Sequence, residues 1–414
     1  MPTWRSASAL VVVSSVLGAC GSDPVPEPSN EEAPPRIPDY TSSPCYGEPR
    51  TTLVYDSVTH VPSEVSTTCR AEGDRTLVYV ADDLWETSPA PGVPAIDQRE
   101  INAFMVGYEL RGRPASFDPD RGVLPTDETV FGRLNPDTLP DGKLPVFIVD
   151  SGGLGQGYVC SWCPDLELHL DGPVLRSLHT DEALSIAAHE TFHAIHRGYD
   201  QNEAVWVDET LAEAAMTVNG FFTDQDWLND FLGDTNVAWG PGVADPRDYN
   251  YGAGLLYGTY LWERGGRSLL HAITAEPLDD WAGIDAALVT AGIESDAWSL
   301  FLDMALATFL DDPSTGYSFE SFEVPAAILP YSVATGSTYS DTIQRAGLVF
   351  VVFDADARSV TLDAATTVSS RLVLAGRPTE VRELVPREPT TFDATPRVLL
   401  LSSQQAANYS LTVE

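Results

Sequence analysis

Lysine is nearly missing from this chain. Lys143 is the only one in 414 residues, and Lys and Arg together number 23 against 61 Asp and Glu. The formal net charge is −38. So acidic a chain repels nucleic acid and anionic lipid, and no run of basic residues offsets it. A nucleic-acid partner is not expected, and the acidity reads as solubility. Histidine is scarce as well, at seven. Beyond the N-terminal segment no apolar run is long enough to cross a bilayer, and no internal repeat of useful length is found.

The N-terminus reads as an export signal. Arg5 is the only charge before an apolar run from Ala9 to Leu17, which is too short for a mature membrane span. The run ends in Leu17-Gly18-Ala19-Cys20, which resembles the lipobox of a bacterial lipoprotein. The resemblance implies a signal peptide over 1–19 and a lipid anchor on the Cys20 sulfur. The protein would then be membrane-anchored, at the cell surface or in the periplasm. An ordinary signal peptide with an incidental Cys is the alternative. Residues 20–43, rich in Pro, Glu and Ser, read as a disordered tether.

Four cysteines remain: Cys45, Cys69, Cys160 and Cys163. An even count in an exported protein reads as disulfides, and proximity favours Cys45–Cys69 and Cys160–Cys163. A Cys-x-x-Cys can also be a redox centre or half a zinc site, with His169 and His179 downstream. No thioredoxin-like βαβ pattern surrounds it.

"RTLVYVAD" and "KLPVFIVD" read as strands, short, β-branched and bounded by turn formers. Ile96 to Leu110 reads as a helix with Ile101, Phe104, Met105 and Tyr108 on one stripe. The next helix runs from Thr180 to Arg197. Thr180 suits its N-cap, Asp181 and Glu182 suit its first turn, and Gly198 suits a left-handed exit. Asn202 is a candidate cap for a further helix ending near Gly220. Ala253 to Leu310 is mostly helical. After Pro313 the pattern changes to short β-like runs: Leu348–Phe353, Ser359–Leu362, Arg371–Leu374, Val398–Leu401 and Tyr409–Val413. These predict a small all-β, sandwich-like domain over 325–414, after a larger domain over 44–312.

Three of the seven histidines fall within eight positions, in "AAHETFHAIHRGYD". His189 and His193 form H-E-x-x-H with Glu190. Positions four apart share a helix face, so both imidazoles can reach one ion. Glu190 emerges on the flank, placed to take a proton from a water at the metal. Two imidazoles and a carboxylate suit zinc and leave a fourth position open. Downstream stands "WVDETLAE", with Trp206, Asp208, Glu209 and Glu213. Glu209, sixteen positions after His193, is the candidate third ligand if the chain turns back over Gly198–Asn202. Glu213, one turn on, could orient His189 through its second nitrogen, or itself be the ligand. His196 is more simply a cap for the end of its helix. "NPDTLPDGK", Asn135 to Lys143, has the flavour of a calcium loop but fits no ligand spacing, so structural calcium is left unsupported.

"HETFH" followed by "WVDETLAE" resembles the gluzincin metallopeptidases, and most closely the hyicolysin-type secreted peptidases. "YVADDLWE", "DGKLPVFIVD", "GYV" and the later "YNYGAGLLYGTYLWERGG" come in the order that family shows. The resemblance covers about 76–266. It implies His189, His193 and Glu209 as zinc ligands and Glu190 as general base. Two features depart from the family: Thr210 replaces the usual Gly, and the spacing to Glu209 is shorter than in thermolysin-like relatives. Tyr251 resembles the Tyr-x-x-Gly start that carries a transition-state donor in aminopeptidase-like gluzincins, with Tyr249 and Tyr257 as competitors.

These readings combine into an α+β protein. It has a zincin-like metallopeptidase core of mixed sheet and active-site helices, a helical subdomain, and a C-terminal β-domain. The expected function is a monomeric zinc metalloendopeptidase acting on protein or peptide, with one catalytic zinc and a membrane anchor. The alternatives are a zincin-like binding or scaffold lipoprotein without turnover, and a zinc hydrolase of a non-peptide bond.

Overall fold

Apolar residues come first in short β-branched runs and then in longer helical stripes, and the fold follows that order. The computed structural model describes residues 38–55, 61–87, 95–152, 156–160, 163, 165–175, 177–222, 225–240, 242, 249–324, 328–374, 379–392 and 396–414. The signal segment, Cys20 and the tether up to residue 37 lie outside the described residues.

The first sheet is built from β1 (Pro49–Tyr55), β2 (Pro62–Glu72), β3 (Thr76–Ala81), β4 (Leu144–Val149), β5 (Gly157–Val159) and β6 (Leu168–Asp171). Its order is β1-β2-β3-β4-β6-β5. The centre, β3 with β4 and β4 with β6, is parallel, while β1, β2 and β5 pair antiparallel. Every residue of β3 and β4 is buried. This is the pattern of strands covered on both faces, and it explains their unbroken apolar runs. Cys45 is bonded to Cys69, which ties the N-terminal turn to β2, and Cys160 is bonded to Cys163 just after β5.

The helices are α1 (Gln98–Met105), α2 (Val123–Val130), α3 (Gly172–Leu175), α4 (Asp181–His196), α5 (Val205–Val218), α6 (Gln225–Gly233), α7 (Tyr251–Thr274), α8 (Asp280–Ala291) and α9 (Ala297–Leu310). α1 starts two residues after the expected Ile96, because the Asp97 carboxylate caps the amides of Arg99 and Glu100. It continues through Leu110 as a wider turn that buries Tyr108. α4 is capped as its sequence predicts, with Thr180 Oγ1 accepting from the Ala183 amide at 3.2 Å.

Two expected caps differ. Gly198 does not adopt a positive φ. The chain leaves α4 through amides of Tyr199 and Asp200 that both bond to the His196 carbonyl. A Cβ on Gly198 would sit 3.1 Å from Asn135 Cβ, so its small size serves close packing. Asn202 does not cap α5. Ala204 holds the N-cap position, and its amide donates to the Glu203 carboxylate at 2.6 Å.

The C-terminal strands are β7 (Tyr331–Val333), β8 (Thr338–Ile343), β9 (Val349–Phe353), β10 (Ser359–Ala364), β11 (Val368–Leu374), β12 (Glu380–Arg382), β13 (Pro389–Thr391), β14 (Pro396–Ser403) and β15 (Ala407–Val413). They form a four-stranded sheet, β13-β10-β15-β8, and a five-stranded sheet, β12-β11-β14-β9-β7. Period-two alternation divides their side chains. Val349, Val351, Leu399 and Leu401 join Leu362 and Leu411 in a core between the sheets. Phe350, Val398 and Leu400 point the other way, into the main core. Phe350 stacks on Phe309 of α9 with ring centroids 5.0 Å apart. The molecule is thus α+β, with a C-terminal β-sandwich seated on the last helix. Residues 38–414 form one compact unit. No helix among the described residues is long and apolar enough to cross a membrane.

Candidate metal centre

α4 lies against β5 and β6, and α5 returns beside α4. This antiparallel return brings Glu209 opposite the two histidines, which sequence spacing alone left open. His189 Nε2 and His193 Nε2 are 3.2 Å apart. Glu209 Oε2 lies 3.3 Å from the first and 3.7 Å from the second. A tetrahedral ion with ligand bonds of about 2.0–2.2 Å has ligand–ligand edges of about 3.3–3.6 Å. The three atoms therefore already form one face of such a tetrahedron. Glu209 Oε2 is buried and makes no well-directed hydrogen bond, a costly state that a cation would relieve.

The rings are oriented from behind. His189 Nδ1 lies 3.1 Å from Glu213 Oε1, and His193 Nδ1 lies 2.9 Å from Asp208 Oδ2. The Glu213 carboxylate at His189 Nδ1 favours the proton there and leaves Nε2 with its lone pair free. His193 Nδ1 lies close to Asp208 but makes no well-directed hydrogen bond. Glu213 lies behind His189, at its Nδ1, and Glu209 sits closer to the centre. The role of Asp208 was not foreseen in the sequence. Its other oxygen, Oδ1, is 2.6 Å from His196 Nδ1. His196 is buried against this carboxylate, so it does not serve as an exposed helix cap. An acidic residue just before Glu209 was the available signal for Asp208.

The charges are strongly coupled. Burial lowers the His189 pKa, but Glu209 and Glu213 outweigh it and hold it up at about 10. His193 is likewise held well above its ordinary value, mainly by Asp208 and Glu209 against the effect of burial. Burial raises Glu209, yet the two imidazoles pull it down to about 2. Asp208 falls well below the usual carboxylate range for the same reason. Without metal, protons occupy this cage of carboxylates, and a cation would replace them. Glu190 is different. Burial pushes its pKa up, and only the histidines oppose that. It lies where β5 crosses α4: a Cβ on Gly157 would come within 3.0 Å of Glu190 Cγ.

Tyr251 is the first residue of α7, whose N-cap Asn250 accepts from the Ala253 amide at 2.9 Å. Its ring centroid is 6.1 Å from that of His189. Burial and the neighbouring Glu209 and Glu190 raise its pKa, so the phenol keeps its proton. The competitors are engaged elsewhere. Tyr249 Oη pairs with Thr210 Oγ1 at 2.8 Å, and Tyr257 Oη donates to the Ala297 carbonyl at 2.9 Å. Thr210 thus anchors Tyr249, and it bonds back to the Trp206 carbonyl at 2.6 Å. Trp227 of α6, unremarked in the sequence, lies tilted against Tyr251 with ring centroids 5.6 Å apart and is 51% exposed.

The remaining described histidines belong to other networks, and His60 lies outside the described residues. His169 pairs with Glu167 and Tyr158, His179 with Glu100, and His271 with the Phe131 carbonyl. Cys160, Cys163 and His169 also lie close enough together to hold an ion. The disulfide removes both thiolates, and Glu167 and Tyr158 occupy the His169 nitrogens, so that group does not suit a metal. Asn135 to Lys143 forms short turns in which Asn135 Oδ1 accepts from the Asp137 amide at 3.1 Å.

No family model matches the chain, and no curated protein matches it. Among solved structures, one match is PliG of Salmonella Typhimurium, a periplasmic lysozyme inhibitor of g-type lysozyme. It is 10% identical, over 21% of this chain and 100% of that one, with a TM-score of 0.17. At that score the likeness carries no argument about fold or function.

Proposed function

We propose that this chain is a zinc metalloendopeptidase of the gluzincin type, with a zincin-like core. The observation that carries the reading is the triangle of His189 Nε2, His193 Nε2 and Glu209 Oε2, with both Nδ1 atoms turned away to carboxylates. A zinc ion held there would supply Lewis acidity to a scissile carbonyl and lower the pKa of a water. Glu190 accepts that water's proton as it attacks the carbonyl carbon, then passes it to the leaving amine nitrogen. Tyr251 donates its phenolic proton in a hydrogen bond to the oxygen that gains charge. Glu213 and Asp208 hold the two imidazoles in place.

An extended peptide suits the site. Among the described residues β5 is the outermost strand on its side of the sheet, so a substrate backbone can add to the sheet there, beside Glu190. The exposed Trp227 beside Tyr251 offers an apolar wall for a substrate side chain. Attachment to a membrane through a lipid on Cys20 completes the proposal.

The deciding experiment is cleavage of an unfolded protein by the wild-type chain and by Glu190→Gln. The expected result is cleavage by the first and none by the second, with metal content unchanged. A wild-type chain that holds zinc but cleaves no peptide bond would overturn the reading.

A further inference from the structure

The sequence has no basic run, yet the fold assembles one basic cavity. Arg75, Arg121, Arg133 and Arg267 line a space of about 400 Å³ together with Glu128 and Thr129. They come from four separate stretches: the turn before β3, the turn before α2, the turn after α2, and α7. None belongs to the metal centre. α7 reaches the cavity after a break at Gly266, where φ is 55°. That left-handed angle favours glycine and redirects the helix just before Arg267.

The charges in this cavity do not cancel. Arg75 and Glu128 form a two-pronged pair at 2.7 and 2.8 Å, and Glu128 also accepts from the Leu134 amide at 3.2 Å. Glu128 is therefore fully used. Arg121 pairs with Asp118 at 3.1 Å and donates to Thr129 Oγ1 at 3.1 Å. Arg133 and Arg267 have no carboxylate within ion-pair distance among the described residues. With the two other guanidinium groups on the same cavity, they leave a net positive pocket on an acidic protein. Arg133 is also held in position, since its backbone amide donates to Tyr199 Oη at 3.0 Å.

We propose that this cavity binds the phosphate group of a small phosphorylated molecule. Guanidinium forks match tetrahedral oxyanions, and several converging forks favour a doubly charged one. The volume lies within the range of small-ligand sites and exceeds what a free phosphate ion fills. The walls are guanidinium, carboxylate and hydroxyl, with Pro125 the one apolar lining residue. The ligand is therefore recognised by its charge, with little apolar burial.

The test is calorimetric titration of the full chain with inorganic phosphate and, separately, with glycerol phosphate. The variants are Arg133→Gln with Arg267→Gln as a pair, and Arg99→Gln as a control on a remote, 93% exposed side chain. The expected result is saturable binding with a Kd below about 1 mM for glycerol phosphate. It weakens about tenfold or more in the paired variant and is unchanged in the control. Tighter binding of glycerol phosphate than of inorganic phosphate marks the ester as the ligand. Binding of inorganic phosphate alone, no saturation up to about 10 mM, or equal binding by the paired variant overturns the proposal. Both targeted side chains are exposed, so a matched thermal melt is expected for every variant.

Discussion

Glu213 Oε1 stands 3.1 Å from His189 Nδ1, on the side of the ring away from His193 and Glu209. This one contact separates two carboxylates on the same helix face. Glu209 meets the imidazole at the nitrogen that faces the centre. Glu213 meets it at the nitrogen that faces the core.

That separation makes a first prediction. Glu209→Gln should cost more zinc affinity than Glu213→Gln, whose loss should be about 10- to 100-fold. Zinc affinity measured by competition with a chelating dye gives the order. The reverse order would move the ligand to Glu213.

Metal content is the second. The purified protein should hold about one zinc per chain, and His193→Ala should lose it. Elemental analysis showing full zinc in that variant would refute the ligand set.

The two tyrosines at the start of α7 should behave differently. Tyr251→Phe should lower kcat about 10²- to 10³-fold with zinc retained. Tyr249→Phe removes a buried hydrogen bond to Thr210 and should cost about 1 kcal/mol of stability with kcat nearly unchanged. Equal kcat values for the two variants would remove Tyr251 from the mechanism. Trp227→Ala should raise KM with little change in kcat, as expected when a substrate wall is removed.

Stability should fall with pH through one carboxyl outside the metal centre. Burial raises the Glu203 pKa from its ordinary 4.5 to about 7. Between those values the folded chain holds a proton that the unfolded chain has released. Stability therefore declines as pH rises from about 4.5 to about 7. Glu203→Gln should remove this decline. Screening at a partly exposed site leaves a gain of about 1 kcal/mol above pH 7 and none below pH 4. Thermal melts across that range would show it, and an equal shift at both ends would argue against it.

A lipid on Cys20 should hold the protein to membranes, and Cys20→Ser should release it. Detergent partitioning of the two chains decides this. A wild-type protein found wholly in the aqueous phase would exclude the anchor.

What could be read from sequence was local. Period and capping located α4, whose Thr180 cap and histidine pair both lie within one helix. The short apolar runs Leu348–Phe353 and Val398–Leu401, set off by turn formers, located strands of the sandwich for the same reason. The even, closely spaced cysteines pointed to the pairs that form. Each of these rests on neighbours along the chain, whose geometry backbone periodicity dictates.

The tertiary structure decided whatever depends on two distant segments meeting. Glu209 and Glu213 share a helix face, and only the angle at which α5 returns to α4 sets which one reaches the imidazoles. Tyr249 and Tyr251 are two residues apart, and only Thr210 across the interface draws the first away. The four arginines are spread over almost two hundred positions and acquire meaning through a cavity that no periodicity encodes. A sequence records which groups are available. The packing of helix on helix and on sheet sets the few ångströms between them, and coordination and hydrogen bonding are decided at that scale.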